Sequence, residues 1–570
     1  MTVKQSVGLP CCLILACLSA GGCVSPGKID SSLIARYQDS IRGRSPQPRK
    51  GTHGPDLLKP VDGAALVELS ITTDPKTKLR MIDLALEQAI RLALLNSLDI
   101  RIVSFQPAIS REEMVKAAAE FDYVVFGDLS HIRTDQRSVS GFASSKSRVI
   151  PGEVGIRTRS VIGTQLELKY ALTRTTDNST FTMPQPQYES MLSLQLTQPL
   201  LRFGGLDVNL AALRLARLGH TVSLASFREQ VEKTVTEVQT TYWALVQARK
   251  ELEIQQRLLD KTIETRDRVE KRKLIDATDV EVKQTEAAVE SRRAVLLRAR
   301  ENILNVQDRL GRLLADPRMG LTGGYMINPV TPPVERKVTV DPADQLVNAL
   351  KNNPVLEQAR LGIESADISV QVARNGALPV LNLTASTSIQ GLKDNGWPAV
   401  GDMLSLDFWS HSVGLLFEYP LGNRGPEAEL RKRTFERLQA ATQLQNLADQ
   451  VAVGVNGAIR RIGTAQEEVK AQRAAVAASR IQLGALEDTE KIRGRLTPEF
   501  LQVKLQAQES LAAAERAELE ALISYNNALA ELARITGTTL QERNIKLATE
   551  SAIEGRPLPR SRPAAATRPK

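Results

Sequence analysis

Leu86–Ile100 reads LEQAIRLALLNSLDI, and Pro342–Ala359 reads PADQLVNALKNNPVLEQA. Ala93-Leu94-Leu95-Asn96 falls on Ala349-Leu350-Lys351-Asn352 at an offset of 256, which also carries Ala117 to Ala373 and Val124-Val125 to Val380-Leu381. In both copies a helical rhythm of three to four residues runs into a β-like stretch. Further along the offset becomes 221: Leu194-Gln195-Leu196-Thr197-Gln198-Pro199-Leu200 meets Leu415-Leu416-Phe417-Glu418-Tyr419-Pro420-Leu421, and Asn305 meets Asn526. The chain is an internal duplication. The fall from 256 to 221 puts about 35 extra residues between the strands of the first copy. More than 100 residues after the strands keep their length in both copies, which suggests two helical hairpins packed side by side.

Those long stretches, 205–316 and 427–535, are rich in Ala, Leu, Gln, Glu and Arg, the composition of long helices. Leu444, Leu447, Val451, Val455, Ala458, Ile462, Ala465, Val469, Val476, Leu483 and Leu486 follow a spacing near 3.5. Val231, Val235, Val238, Tyr242, Leu245 and Leu252 begin the same seam in the first copy. A helix of about 65 residues at 1.5 Å per residue reaches roughly 100 Å. Each hairpin is expected to reverse near the midpoint of its helical region, at Lys273–Val280 and at Arg495–Phe500. Thr278 and Thr497 are suited to cap the returning helices.

The strands alternate. Leu166, Leu168, Tyr170 and Leu172 share one face and Gln165, Glu167, Lys169 and Thr173 the other. Leu192 and Leu194 stand opposite Ser193 and Gln195; Leu383 opposite Asn382 and Thr384; Leu415 and Phe417 opposite Gly414 and Glu418. Such alternation fits a transmembrane barrel with a wet lumen, and Leu166, Leu168, Leu192, Leu194, Leu383, Leu415 and Phe417 are then the lipid-facing positions. A soluble sheet with one wet face is the competing reading. The second copy has two strands, about 378–390 and 411–421. The first has three candidates, 121–132, 162–174 and 188–200, an odd number that would leave the next helix on the wrong side. Either one of them does not span, or a weaker strand near Val154–Ser160 restores parity through a turn at Gly163.

The N-terminus reads as a secretory leader. Lys4 precedes an apolar run, Val7 to Leu18, too short to span a membrane. It ends in Leu18-Ser19-Ala20-Gly21-Gly22-Cys23, which resembles a bacterial lipoprotein box, with Cys23 the lipidated (palmitate-bearing) mature N-terminus; an ordinary signal peptide cut near Ala20 is the alternative. All four cysteines lie at 11, 12, 17 and 23, so no later disulfide or thiolate metal site can form within the chain. The net charge of +9 sits at the ends: residues 1–60 hold eight Lys/Arg against three acids and residues 551–570 five against one, which leaves the body neutral. That distribution argues against a nucleic-acid-binding face. The four histidines are far apart, no Gly-rich phosphate loop follows a strand, and no nucleophile–base arrangement is recognisable. No enzyme, cofactor or metal is expected.

Taken in order, these pieces resemble the TolC-type outer-membrane efflux proteins over about residues 80–540. The duplicated start Ala93–Asn96 and Ala349–Asn352, the strand end Gln198-Pro199-Leu200-Leu201, and the tips Ala277-Thr278-Asp279-Val280 and Arg495-Leu496-Thr497 carry the resemblance. It implies a mainly α fold with a β-barrel part: a homotrimer with a 12-stranded transmembrane barrel, four strands per protomer, on a periplasmic α-helical coiled-coil tunnel. It implies an outer-membrane exit duct of an efflux or type I secretion system, docked at its tip to a periplasmic adaptor and, through it, to an inner-membrane pump. The expected docking and gating residues are Leu274, Asp276, Thr278, Asp279, Glu281, Arg495, Leu496, Thr497 and Lys504, with acids of one tip set against Arg493, Arg495 and Lys504 of the other. The chain departs from the family at 500–504, Phe-Leu-Gln-Val-Lys, where many members carry acids.

The expected division is a signal peptide at 1–22, a lipidated extension at 23–79 running along the outside of the tunnel, repeat 1 at 80–316, a linker at 317–342, repeat 2 at 343–537, and a C-terminal segment with a basic tail at 538–570. A periplasmic adaptor lipoprotein is the rival reading, but it needs only one hairpin and no duplication. A structural envelope coiled coil is a second rival, and the alternating strands oppose it.

Overall fold

The computed structural model describes residues 67, 69–73, 80–137, 144–179, 181–273, 278–319, 324–493 and 497–545. Each repeat starts with two helices that climb to the sheet, α1 (Leu86–Asn96) and α2 (Leu98–Ala118) in the first, α5 (Pro342–Asn352) and α6 (Pro354–Gly376) in the second. Asp341 and Asn353 cap α5 and α6 by accepting from the N–H groups of Ala343 and Val355, each with proline in the first turn, where its missing N–H has no cost.

From the sheet each repeat descends through one very long helix and returns through a shorter one. The first pair is α3 (Ala211–Arg272, 62 residues) and α4 (Asp279–Leu314, 36 residues). The second is α8 (Arg424–Arg493, 70 residues) and α9 (Pro498–Thr536, 39 residues). The reversals therefore lie about two-thirds of the way along rather than at the midpoint. The reason is a division of labour: α4 and α9 cover the lower parts of α3 and α8, while α2 and α6 pack on their upper parts. The two hairpins do lie side by side, with α9 against α3. Of the coiled-coil seam residues, Val455, Ala458 and Ile462 are buried with Tyr525 and Leu532 of α9.

At mid-height sits a small sheet, β1 (Ser70–Thr73), β2 (Arg80–Leu84) and β8 (Tyr325–Pro329), in which β8 runs parallel to β2. The segment expected as a linker thus supplies a strand. Ile82, Leu84 and Ile327 bury fully against Leu92 of α1, Val235, Tyr242 and Leu245 of α3 and Leu310 and Leu314 of α4, the largest apolar core among the described residues. Two buried amides fasten the crossing chain. Gln307 exchanges hydrogen bonds with the backbone of Tyr325 and Ile327, both at 3.0 Å, and Asn526 does so with Val334.

The upper sheet has the order β10-β9-β7-β6-β5-β3, with β4 also on β5 and every neighbour antiparallel. Its strands are β3 (Val124–Leu129), β4 (Ile132–Asp135), β5 (Lys146–Arg159), β6 (Gln165–Asp177), β7 (Gln187–Pro199), β9 (Val380–Lys393) and β10 (Trp409–Glu418). β3 and β4 are one strand with a gap. Leu129 faces Gly152 and Ile132 faces Val149, so the register does not slip across residues 130 and 131. Opposite the gap stands Pro151, which accepts from the Ser130 N–H but has none to return. The first repeat therefore crosses four times and the second twice. Parity is restored by the strand expected as the weaker alternative, longer than its apolar residues suggest, and Gly163 (φ +94°) makes the turn into β6. The sheet is two strands wider than the four per protomer that the resemblance implies. Among the described residues it is open, with free edges at β10 and at β3/β4.

Candidate channel wall and tunnel tips

The strand register sorts the residues onto two faces. Ile156↔Leu168↔Leu194↔Thr387↔His411 and Val154↔Tyr170↔Leu192↔Ile389↔Trp409 are directly opposed rows, and opposed residues share a face. Leu166 aligns with Leu196, Leu383 with Leu415, and Leu381 with Phe417 on that same side. The seven expected lipid-facing residues thus lie on one apolar face, where Leu415 and Phe417 are 64% and 65% exposed. The other face carries Glu153, Arg157, Glu167, Lys169, Gln195, Ser386 and Ser412. Lys169 and Glu153 pair across it at 3.2 Å. Phe126 is an exception on the polar face, where Arg157 lies over its ring and Gly155 leaves room for it.

At the opposite end of the helices are the reversals. Leu274, Asp276, Arg495 and Leu496 lie outside the described residues. Thr278 and Glu281 act on their own helix: the Thr278 N–H donates to the Glu281 carboxylate at 2.7 Å, and Glu281 is buried. Thr497 caps α9 by accepting from the Phe500 N–H at 3.3 Å. Asp279 is exposed and pairs with Lys273 at 2.7 Å, a contact within its own hairpin. That hydrogen bond and the lysine charge hold its carboxyl below the usual carboxylate range. Lys504 departs from the expectation of a rim cation: it is 3% exposed and pairs at 2.6 Å with Glu490 of α8. The partner is on the other arm of the hairpin, and an ammonium taken out of water is held only next to such a carboxylate.

One polar cluster escaped sequence reading. Arg292 of α4 is buried, and burial pushes its guanidinium below the usual arginine range. It donates to Thr262 of α3, to the Gln508 side chain at 3.0 Å and to the Leu505 carbonyl of α9 at 3.0 Å. Gln508 in turn donates to Thr265 at 3.2 Å. This knot ties the first hairpin to the second low in the tunnel. Nothing local marks Arg292 among the other basic residues of its helix, because its partners are 30 or more positions away.

Among the described residues no group of His, Cys, Asp and Glu is arranged to hold a metal ion, and no helix is long and apolar enough to cross a membrane, which says nothing of a barrel.

Residues 346–538 match the outer membrane efflux protein family. The chain is 29% identical over 201 residues to the outer membrane protein TolC of Escherichia coli K12, a stretch covering 33% of this chain and 38% of that protein. It is 26% identical over 267 residues to TolC of Salmonella enteritidis, covering 46% and 52%. The matches thus span about two-fifths to one-half of those relatives. Similarity to solved structures is wider. The Campylobacter jejuni CmeC outer membrane channel superposes with a TM-score of 0.60 at 15% identity, over 81% of this chain and 90% of that one. The open state of the Neisseria gonorrhoeae MtrE outer membrane channel gives 0.57 at 17% identity, over 80% and 89%. The duplicated strand-and-hairpin repeat and the two-faced sheet stand beside these likenesses: residues 346–538 match the outer membrane efflux protein family, and the chain has the TolC-type channel-tunnel fold.

Proposed function

We propose that this chain forms the outer-membrane exit duct of a tripartite efflux or type I secretion assembly, as a homotrimer. One observation carries the reading: a sheet with an apolar and a polar face stands, open at both edges among the described residues, on helices of 62 and 70 residues. In a membrane an open edge leaves backbone groups without partners, so the sheet must close against other copies. The helices, about 93 and 105 Å long at 1.5 Å per residue, then project from one side of the membrane as a tunnel. The polar face becomes the lumen and the seven apolar residues meet lipid.

The duct is passive and not an enzyme; the driving energy belongs to an inner-membrane pump reached through a periplasmic adaptor at the tips. Residues 274–279 and 495–497 are the proposed docking surface, with Thr278, Glu281 and Thr497 shaping the turns and Asp279 presenting charge. Lipidation at Cys23 after removal of residues 1–22 gives a second membrane attachment, since a single barrel contact and an acyl anchor reinforce each other. The division into repeats at 80–316 and 343–537, joined through 317–342, with a lipidated extension before and a basic segment after, is part of the same proposal. Trimers that survive SDS at room temperature and collapse to monomers on boiling test it; a protein that runs as a monomer without heating contradicts it.

A further inference from the structure

We propose that the barrel wall takes six strands from each protomer, eighteen in the trimer, and that it closes by pairing the β10 edge of one copy with the β3/β4 edge of the next. This rests on the trimeric-duct reading above and departs from the twelve strands that the family resemblance implies.

The extra hairpin, β5–β6, is built into the wall rather than appended to it. β5 and β6 share thirteen paired positions, and β5 is paired on its other side along β3 and β4. Taking β5 out of the wall would bare two long runs of backbone groups to lipid. β5 has 14 residues against 13, 13 and 14 in β6, β7 and β9, so it spans the same height. Its outer side, Ile150, Val154 and Ile156, continues the apolar band of Leu168, Tyr170 and Leu172, and Val154 and Ile156 remain 46% and 45% exposed. Its inner side, Glu153, Arg157 and Arg159, continues the polar one. The helix end of β5 is tied to both carriers of the sheet. Arg159 reaches Glu120 just beyond α2 and Asn209 just before α3, at 2.5 and 2.7 Å, and Thr158 donates to the Phe121 carbonyl.

Direction and size agree. β10 and β3/β4 run antiparallel to each other through the alternating sheet, so head-to-tail closure of three copies gives an antiparallel ladder throughout. With strands about 4.8 Å apart and tilted by about 40°, eighteen strands give a radius of about 18 Å, against about 12 Å for twelve. Beneath the sheet each protomer stands on a row of four helices, α2, α3, α6 and α8, each packed on the next. Twelve helices about 9 Å apart make a ring of about 17 Å radius. An eighteen-stranded wall meets that ring without a taper, so the barrel is not the narrow point of the duct.

A twelve-stranded closure has to use another seam. β6 runs in the same direction as β3/β4, and joining β10 to β6 is the alternative that direction permits. Cysteine cross-linking separates the two. The native cysteines are confined to positions 11–23, so the strands are free of thiols. Val413→Cys on β10 is combined with Val125→Cys, Gly127→Cys or Leu129→Cys on β3, and separately with Leu168→Cys or Tyr170→Cys on β6. Membranes are oxidised and resolved on non-reducing gels after native electrophoresis has established the trimer. Eighteen strands predict covalent dimers and trimers from at least one β3 combination and none from β6. Trimers linked through β6, or through neither set, overturn the six-strand wall and leave the duct reading standing. A protein that is monomeric on the native gel overturns both.

Discussion

Arg292→Ala should loosen the lower tunnel by about 2–4 kcal/mol. The variant removes donors to the Gln508 side chain and the Leu505 carbonyl, both at 3.0 Å, and to Thr262. A hydrogen bond to a charged group contributes about 1.5–3 kcal/mol. The guanidinium's own desolvation, visible in the downward push that burial gives it, offsets part of that sum. Glu509 lies 3.7 Å from Nε but is half-exposed, so losing its partner leaves no buried lone charge, and the loss stays at the lower end for a broken buried pair. Arg292→Met, which keeps the aliphatic stem, should cost less than Arg292→Ala, and Arg292→Lys should fall between wild type and alanine because it lacks the fork. The effect is local, so native-state hydrogen exchange is the appropriate assay. Amides of α9 around Leu505 and of α3 around Thr262 should exchange about 30–1,000-fold faster, the equivalent of that energy at 1.4 kcal/mol per decade, while the mid-height core around Tyr242 stays unchanged. Unaltered exchange near Leu505 would mean that apolar packing alone, Val269, Val282, Leu501 and Leu505, holds the hairpins together, and the tie has no energetic role.

Other perturbations have equally definite outcomes. Leu194→Arg, on the apolar face, should cost about 2–4 kcal/mol if it lies near the bilayer centre and reduce assembled trimer on unheated gels, whereas Gln195→Arg should not; equal loss would show that the faces are reversed. Lys504→Ala leaves the mostly buried Glu490 with Arg268 at 3.6 Å as its remaining partner, so a cost below about 3–5 kcal/mol, the penalty of a wholly unpaired buried charge, is expected in the lower hairpin; proteolysis at the second reversal should rise, and an unchanged digestion pattern contradicts it. Asp279 has a folded-state pKa depressed below 3.8 by Lys273, so its contribution to the first reversal is present above pH 3.8 and lost as pH falls through the lowered value. Asp279→Asn should therefore abolish any acid-induced step in tip exchange below about pH 3.8. Mass spectrometry of purified protein should find Cys23 as a lipid-modified N-terminus; a different start sinks the anchor.

The parts legible in the sequence are those whose signal is periodic or repeated. Constant offsets exposed the duplication, the 3.5-residue seam exposed the long helices, and alternation assigned the faces of β6, β7, β9 and β10. β5 was faint because Gly152 interrupts its apolar face and Pro151 and Gly155 break the polar one, a composition that argues against a strand in isolation. Its pairing along both edges supplies what local propensity does not. The position of each reversal was misjudged because the upper cover of α3 and α8 comes from α2 and α6, which lie far away in sequence or in the other half of the duplication. Lys504 read as a rim charge because its partner, 14 residues back on the opposite arm, is visible only once the hairpin is folded. Arg292 was hidden for the same reason on a larger scale.

Electron cryomicroscopy of the detergent-extracted or nanodisc-embedded protein tests the central claim most directly. The account predicts three copies around one axis, a single β-barrel closed between protomers within the disc, and a helical tunnel of about 100 Å projecting from one side only. A sheet that closes within one chain, or a particle with no barrel inside the disc, would contradict it.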